Sequence, residues 1–72
     1  QMSFREDALD SLKHNADKDR SEALASLKIM LDHPAGIGDH STGDLHENLN
    51  EALAKLADAE DRLDTLKIHF NV

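Results

Sequence analysis

The side chains best suited to binding chemistry gather in one short stretch, which also holds every proline and glycine of the chain. Residues 34–43 read Pro-Ala-Gly-Ile-Gly-Asp-His-Ser-Thr-Gly. Glycines let backbone amides turn toward an anion, and hydroxyl and imidazole groups add donors where the positive end of a following helix begins. The candidate anion-binding residues of this stretch are Gly36, Gly38, His40 and Ser41.

The same stretch supports two other interpretations. In the first, which is the simpler one, the glycines only satisfy the left-handed dihedral angles of a tight turn between helices. In the second, His33, His40 and His46 form a metal site, but none of the familiar histidine spacings occurs. We therefore expect neither a metal nor a cofactor.

Cationic side chains are few, and three of them stand out by position. Lys18 and Arg20 lie in a polar interruption of the first apolar pattern, and Arg62 follows an acidic run. The plain interpretation is that each is a solvated residue beside an acidic neighbour. In a symmetric oligomer, however, copies of one arginine surround an axis and can line a phosphodiester pocket. No nucleophile and base occur at a recognisable spacing, so we expect no enzymatic activity.

Composition limits the possible functions further. The 72 residues suffice for one small domain, and a net charge of −7 has the wrong sign for a general DNA or membrane binder. The absence of cysteine excludes disulfides and thiolate metal sites. No apolar run approaches the roughly 20 residues of a membrane span. Met2 is followed by a charged segment rather than a signal peptide, which predicts an intracellular setting.

The first half of the chain has the pattern of a helix with a polar interruption. Ser3 and Glu6 form a capping-box pattern, which predicts a helix start. Six polar residues, 17–22, then separate two apolar seams. This favours a break near Asn15 to Asp19, with a helical segment at 1–18 and a hairpin at 19–72; one long helix with a stutter is the alternative. The two seams are Phe4, Ala8, Leu9, Leu12 and Ala16, and then Ala23, Leu24, Leu27, Met30 and Leu31.

The second half predicts a regular helix. Pro34 ends the first helix, a turn occupies 34–43, and Ser41 or Thr42 caps the next helix. Apolar residues then recur at alternating steps of four and three, a coiled-coil repeat. They are Leu45, Leu49, Ala52, Leu56, Ala59, Leu63, Leu66 and Phe70.

The predicted fold is all-α: an antiparallel helical hairpin that assembles into an oligomeric bundle. A two-helix hairpin cannot enclose its own seam, and so small a domain gains stability by association. Further apolar residues lie off the seams and offer a second contact surface. These are Ile29, Leu53, Ile68 and Val72.

Two segments carry a family resemblance. Residues 31–41, Leu-Asp-His-Pro-Ala-Gly-Ile-Gly-Asp-His-Ser, and residues 58–66, Asp-Ala-Glu-Asp-Arg-Leu-Asp-Thr-Leu, followed by Phe70, resemble a hairpin domain shared by two phage anti-defence sponges. One is the anti-CBASS cyclic-oligonucleotide sponge, and the other is the Thoeris anti-defence sponge for cyclic ADP-ribose signals. The resemblance covers about residues 24 to 70.

The resemblance implies a homohexamer of hairpins in the cytoplasm of an infected bacterium. Such proteins sequester cyclic nucleotide messengers in pockets between subunits without cleaving them. Thoeris-type members carry an N-terminal β region that is not recognisable here, so the sequence looks more like the short anti-CBASS type. There an aromatic and a lysine recruit cyclic dinucleotides, roles that would fall to Phe4 and to Lys18 or Arg20. Arg62 would serve a cyclic-trinucleotide pocket near a threefold axis.

A function of another class remains open from sequence. The chain is also compatible with a small acidic adaptor or inhibitor that binds a host protein through its helix faces.

Overall fold

The structure is a computed structural model, and it describes residues 3–32 and 42–72. Two helices, α1 (Phe4–Asp32) and α2 (Thr42–Phe70), account for nearly all of these residues. The guanidinium of Arg5 lies 5.7 Å from the centre of the Phe70 ring, so the start of α1 meets the end of α2. The helices therefore run antiparallel, and the predicted helical hairpin is confirmed for the described residues.

The start of α1 is the capping box that the sequence predicts. The backbone amide of Glu6 donates to the Ser3 hydroxyl at 3.1 Å, and the amide of Ser3 donates back to the Glu6 carboxylate at 3.4 Å. Two amides that have no partner inside the helix are satisfied in this way. After the last residue of α2, Asn71 has a φ of 59° and its amide donates to the carbonyl of Lys67 at 3.1 Å. This left-handed residue ends α2.

The expected break in the first helix was wrong. α1 runs unbroken from Phe4 to Asp32, so the position proposed as a boundary, residue 18, lies inside it. The residues that face α2 include Leu9, Ala16, Ala23 and Met30, each seven positions from the last. A single heptad position thus passes through the polar interruption without a shift. The polar residues 17–22 predict an end of the apolar seam, but two of them, Asp19 and Arg20, are only partly exposed.

The seam predicted for α2 faces α1. Ala52, Leu56, Ala59 and Leu66 are buried, whereas Phe70 at the open end of the hairpin is 43% exposed. Because α2 begins at Thr42, the last two residues of the predicted 34–43 turn are helical, and the rest of that turn lies outside the described residues.

Small side chains form the centre of the interface between the helices. Ala16 and Ala59 are fully buried, and Ala23 and Ala52 are 6% and 7% exposed. Alanine lets two helix backbones approach closely, but it contributes little apolar area. The hairpin is long and thin, 52 × 21 × 15 Å with a radius of gyration of 16.0 Å, against about 11 Å for a compact chain of this length.

Candidate ligand-binding groove

A groove follows one flank of the helix pair, and we call it the polar groove. It has a volume of about 760 Å³ and is floored by apolar residues, among them Ala23, Ala52 and Met30. That volume falls in the range of small-ligand sites, although this groove is open along its length. Its polar residues are Asp19, Glu22 and Ser26 from α1 and Asn48, Glu51, Lys55, Asp58 and Arg62 from α2.

Arg62 bridges the two helices across this groove. Its Nη2 donates to the carboxylate of Asp19 on α1 at 2.8 Å, and its Nε donates to Asp58 at 3.1 Å. Asp58 and Arg62 are four residues apart and therefore neighbours on one helix face. Asp19, in contrast, reaches Arg62 only because the antiparallel hairpin brings residues 19 and 62 to the same level.

The two carboxylates fix the charge of Arg62. Its pKa is raised, mainly by the hydrogen bond to Asp19; desolvation opposes the rise as the second-largest influence, and the negative charges of Asp58 and Asp19 reinforce it. A raised pKa favours the charged form, so stability gained from this cation is lost only in strongly alkaline solution, as pH rises through the raised value. The guanidinium is accordingly a permanent cation.

Arg62 retains capacity to bind an anion. A guanidinium carries five N–H donors, and the hydrogen bonds to Asp19 and Asp58 among the described residues occupy two of them. Its side chain is 40% exposed. The remaining N–H groups can form charge-assisted hydrogen bonds to a phosphate oxygen, provided that the surrounding carboxylates are outweighed by further cations.

Arg20 lies at nearly the same level of the hairpin but on the other flank. Its Nε is 3.7 Å from a carboxylate oxygen of Glu60 on α2, and both side chains are about half exposed. Arg20 follows Asp19 directly, and consecutive helical residues point about 100° apart, which places the two interhelical ion pairs on opposite flanks. Arg20 and Arg62 therefore do not converge within one chain.

Phe4 and Lys18 are not brought together either. Phe4 is 88% exposed near the open end of the hairpin. Lys18 is 14 positions farther along the same helix, a rise of about 21 Å, and its ammonium is 4.0 Å from Glu22. One chain does not assemble Phe4 with Lys18 or Arg20 into the dinucleotide pocket that the resemblance implies. The other four predicted residues, Gly36, Gly38, His40 and Ser41, lie outside the described residues.

Sequence reasoning missed the carboxylates that define the arginine sites. The Asp58–Arg62 spacing of four was visible, but Asp19 and Glu60 were not singled out because their partners lie on the other helix. The signal that identifies Asp19 is its position three residues after Ala16 in the heptad that also includes Ala23. A polar residue in such a seam position indicates a partner on the facing helix.

Comparison with family models, with curated proteins and with solved structures finds no match to this chain. Among residues 3–32 and 42–72, no group of histidine and acidic side chains is arranged to hold a metal ion. Neither α1 nor α2 contains the long apolar stretch that crossing a bilayer requires. In the described part of the chain, the open polar groove presents charged and hydrogen-bonding side chains to which a ligand could bind.

Proposed function

We propose that this chain is a phage anti-defence protein that binds cyclic nucleotide immune messengers and sequesters them, as a homo-oligomer, without cleaving them. The observation that carries the proposal is the position of Arg62. It is a permanent cation in a groove of ligand size, with N–H donors left over and on a segment that resembles the sponge family. The resemblance also suggests a hexamer and the cytoplasm of the infected host.

Acidic surroundings make a single groove a poor site for a phosphate. Within the polar groove, the carboxylates of Asp19, Glu22, Glu51 and Asp58 face the two cations Lys55 and Arg62. A single groove therefore repels a phosphate overall. In the proposed oligomer, three copies about a threefold axis repeat both the cations and the carboxylates, so binding depends on the three Arg62 guanidiniums contacting the three phosphates of a cyclic trinucleotide more closely than the carboxylates do.

Sequestration requires stoichiometric capture, so the ligand must leave the protein unchanged. The proposal assigns the phosphate contacts to the Arg62 guanidinium, which donates hydrogen bonds and does not attack a phosphodiester. The proposal thus assigns Arg62 a binding role and assigns no catalytic role to any residue.

Titration calorimetry with cyclic dinucleotides, cyclic trinucleotides and cyclic ADP-ribose isomers tests the proposal. We expect at least one ligand to bind and to be recovered intact after the protein is denatured. Arg62→Ala should weaken cyclic-trinucleotide binding by at least about tenfold, since charge-assisted hydrogen bonds to phosphate are lost. The matched control is Lys28→Ala, which removes one exposed cation that does not line the groove, and it should bind nearly as the wild type does.

Two outcomes contradict the proposal. Linear products after incubation would indicate an enzyme. A folded oligomer that binds no cyclic nucleotide would favour the second candidate, an acidic adaptor or inhibitor of a host protein. The observation in favour of that candidate is the exposure of apolar side chains on the helices, such as Ile68 at 75%.

A further inference from the structure

The flank opposite the polar groove has a different character. Here both helices contribute leucines next to the contact between them, and we call this surface the leucine face. Leu31 is 60% exposed and Leu53 is 54% exposed, while the others are half-buried. The face consists of Leu24, Leu27 and Leu31 from α1 and of Leu49, Leu53 and Leu63 from α2.

Charge distinguishes this face from the groove. The only ion pair across the leucine face among the described residues is Arg20 with Glu60, which is neutral as a unit. The polar groove, in contrast, has four carboxylates against two cations. Each copy carries a net charge of −7, so two copies repel at a distance and approach closely only where the local charge is balanced. The leucine face meets that condition.

The exposed area also fits a missing partner. The chain exposes 5534 Å², whereas a compact protein of 8.0 kDa exposes about 4,500 Å². A hairpin 52 Å long and 21 Å wide presents on the order of 1,000 Å² on one broad side, and the leucine face takes about 21 Å of that length, from Leu49 to Leu63. A standard protein interface takes about 800 Å² from each partner, so a stable complex through this side covers the residues beyond the leucines as well.

We propose that the leucine face is covered by the leucine face of a second copy of this chain, related by a twofold axis that passes between Arg20 and Glu60. Such an axis sets Arg20 of each copy against Glu60 of the other, so the polar pair on the face complements itself. The product is a four-helix unit in which the leucines form the core and both polar grooves point outward. This pairing deepens the oligomeric part of the proposed function, but it requires no nucleotide.

Sedimentation equilibrium without any ligand tests the pairing with two matched variants. Leu53→Glu places a carboxylate on the leucine face, and Ile29→Glu places one in the lining of the polar groove. The two original side chains are similarly exposed, 54% and 58%, so a single hairpin should tolerate either change. We expect Leu53→Glu to weaken pairing at least about tenfold, and Ile29→Glu to keep at least the mass of a dimer, with unchanged helicity by circular dichroism.

Two results overturn the pairing. One is a helical wild-type chain that stays at 8.0 kDa at about 100 μM, which would mean that the leucine face serves a different protein. The other is the reverse order of effects, with Ile29→Glu dissociating the protein and Leu53→Glu leaving it assembled. Failure of nucleotide binding in calorimetry would not affect this test, because the sedimentation samples contain no ligand.

Discussion

The polar groove and the leucine face are the two flanks of one helix pair, and they differ in whether their side chains have partners within one chain. In the groove, Arg62 finds Asp19 and Asp58 within the same chain, at 2.8 and 3.1 Å. On the leucine face, the side chains of Leu31 and Leu53 are more than half exposed. The groove cation Arg62 is thus paired within a single hairpin, whereas the exposed leucines are not covered within it. The proposed assembly surface and the proposed ligand site therefore lie at different positions around the helices.

The alanines between the helices, which we call the alanine seam, explain why the two flanks matter for the stability of the fold. Because Ala16, Ala23, Ala52 and Ala59 fill the contact between the helices, that contact buries little apolar surface. Ion pairs of exposed residues add little stability in water. The exposed Leu31 and Leu53 on the leucine face therefore offer apolar area that a single hairpin leaves uncovered.

The largest effect is expected at Leu56, which lies beneath the leucine face and is 9% exposed. Leu56→Asp places a charge without a partner between the helices, which costs about 3–5 kcal/mol. We expect loss of both helicity and association, measured by circular dichroism and sedimentation. A urea transition with the midpoint of the wild type would contradict the assignment of Leu56 to the core.

A smaller loss is expected when the alanine seam is overfilled. Ala59 is fully buried, and Ala59→Leu forces the helices apart at a cost of about 1–3 kcal/mol. Ala57 is exposed on the outer side of α2, so Ala57→Leu is the matched control and should leave the urea midpoint nearly unchanged. Equal effects of both changes would mean that the helices do not approach through Ala59.

Salt should produce the smallest effect and the clearest contrast between the flanks. Added salt screens the repulsion between copies with a net charge of −7, so association through leucines should strengthen between about 50 and 500 mM NaCl. Cyclic-nucleotide binding should weaken over the same range, because it depends on Arg62 and phosphate. Sedimentation and calorimetry measure the two trends, and parallel trends would contradict the separation of the flanks.

Much of the fold follows from sequence because its determinants are local. The capping box needs only Ser3 and Glu6, and the α2 seam needs only its steps of four and three. The predicted break in α1 was wrong because the polar run 17–22 does not interrupt the seam: one of its residues, Asp19, occupies a seam position. Its partner, Arg62, lies 43 residues away, so the reason for a polar residue there appears only once the hairpin is formed.

The candidate site could be predicted only in part. Arg62 and Arg20 were identified as cations of interest, but nothing in their local sequence indicates that they point to opposite flanks. That separation follows from the angle between Asp19 and Arg20 and from the antiparallel register. A contact of Phe4 with Lys18 or Arg20 would require a second copy of the chain. The spacing of residues in one sequence does not predict contacts between copies.

Native mass spectrometry tests the central claim most directly, because it weighs the assembly and its ligand together. The protein would be incubated with an equimolar mixture of cyclic dinucleotides, cyclic trinucleotides and cyclic ADP-ribose isomers and then sprayed under non-denaturing conditions. The account predicts an assembly larger than a dimer of the 8.0 kDa chain, carrying an intact cyclic nucleotide that is released unchanged on denaturation. A bare 8.0 kDa monomer, an assembly without ligand, or a ligand heavier by one water would contradict it.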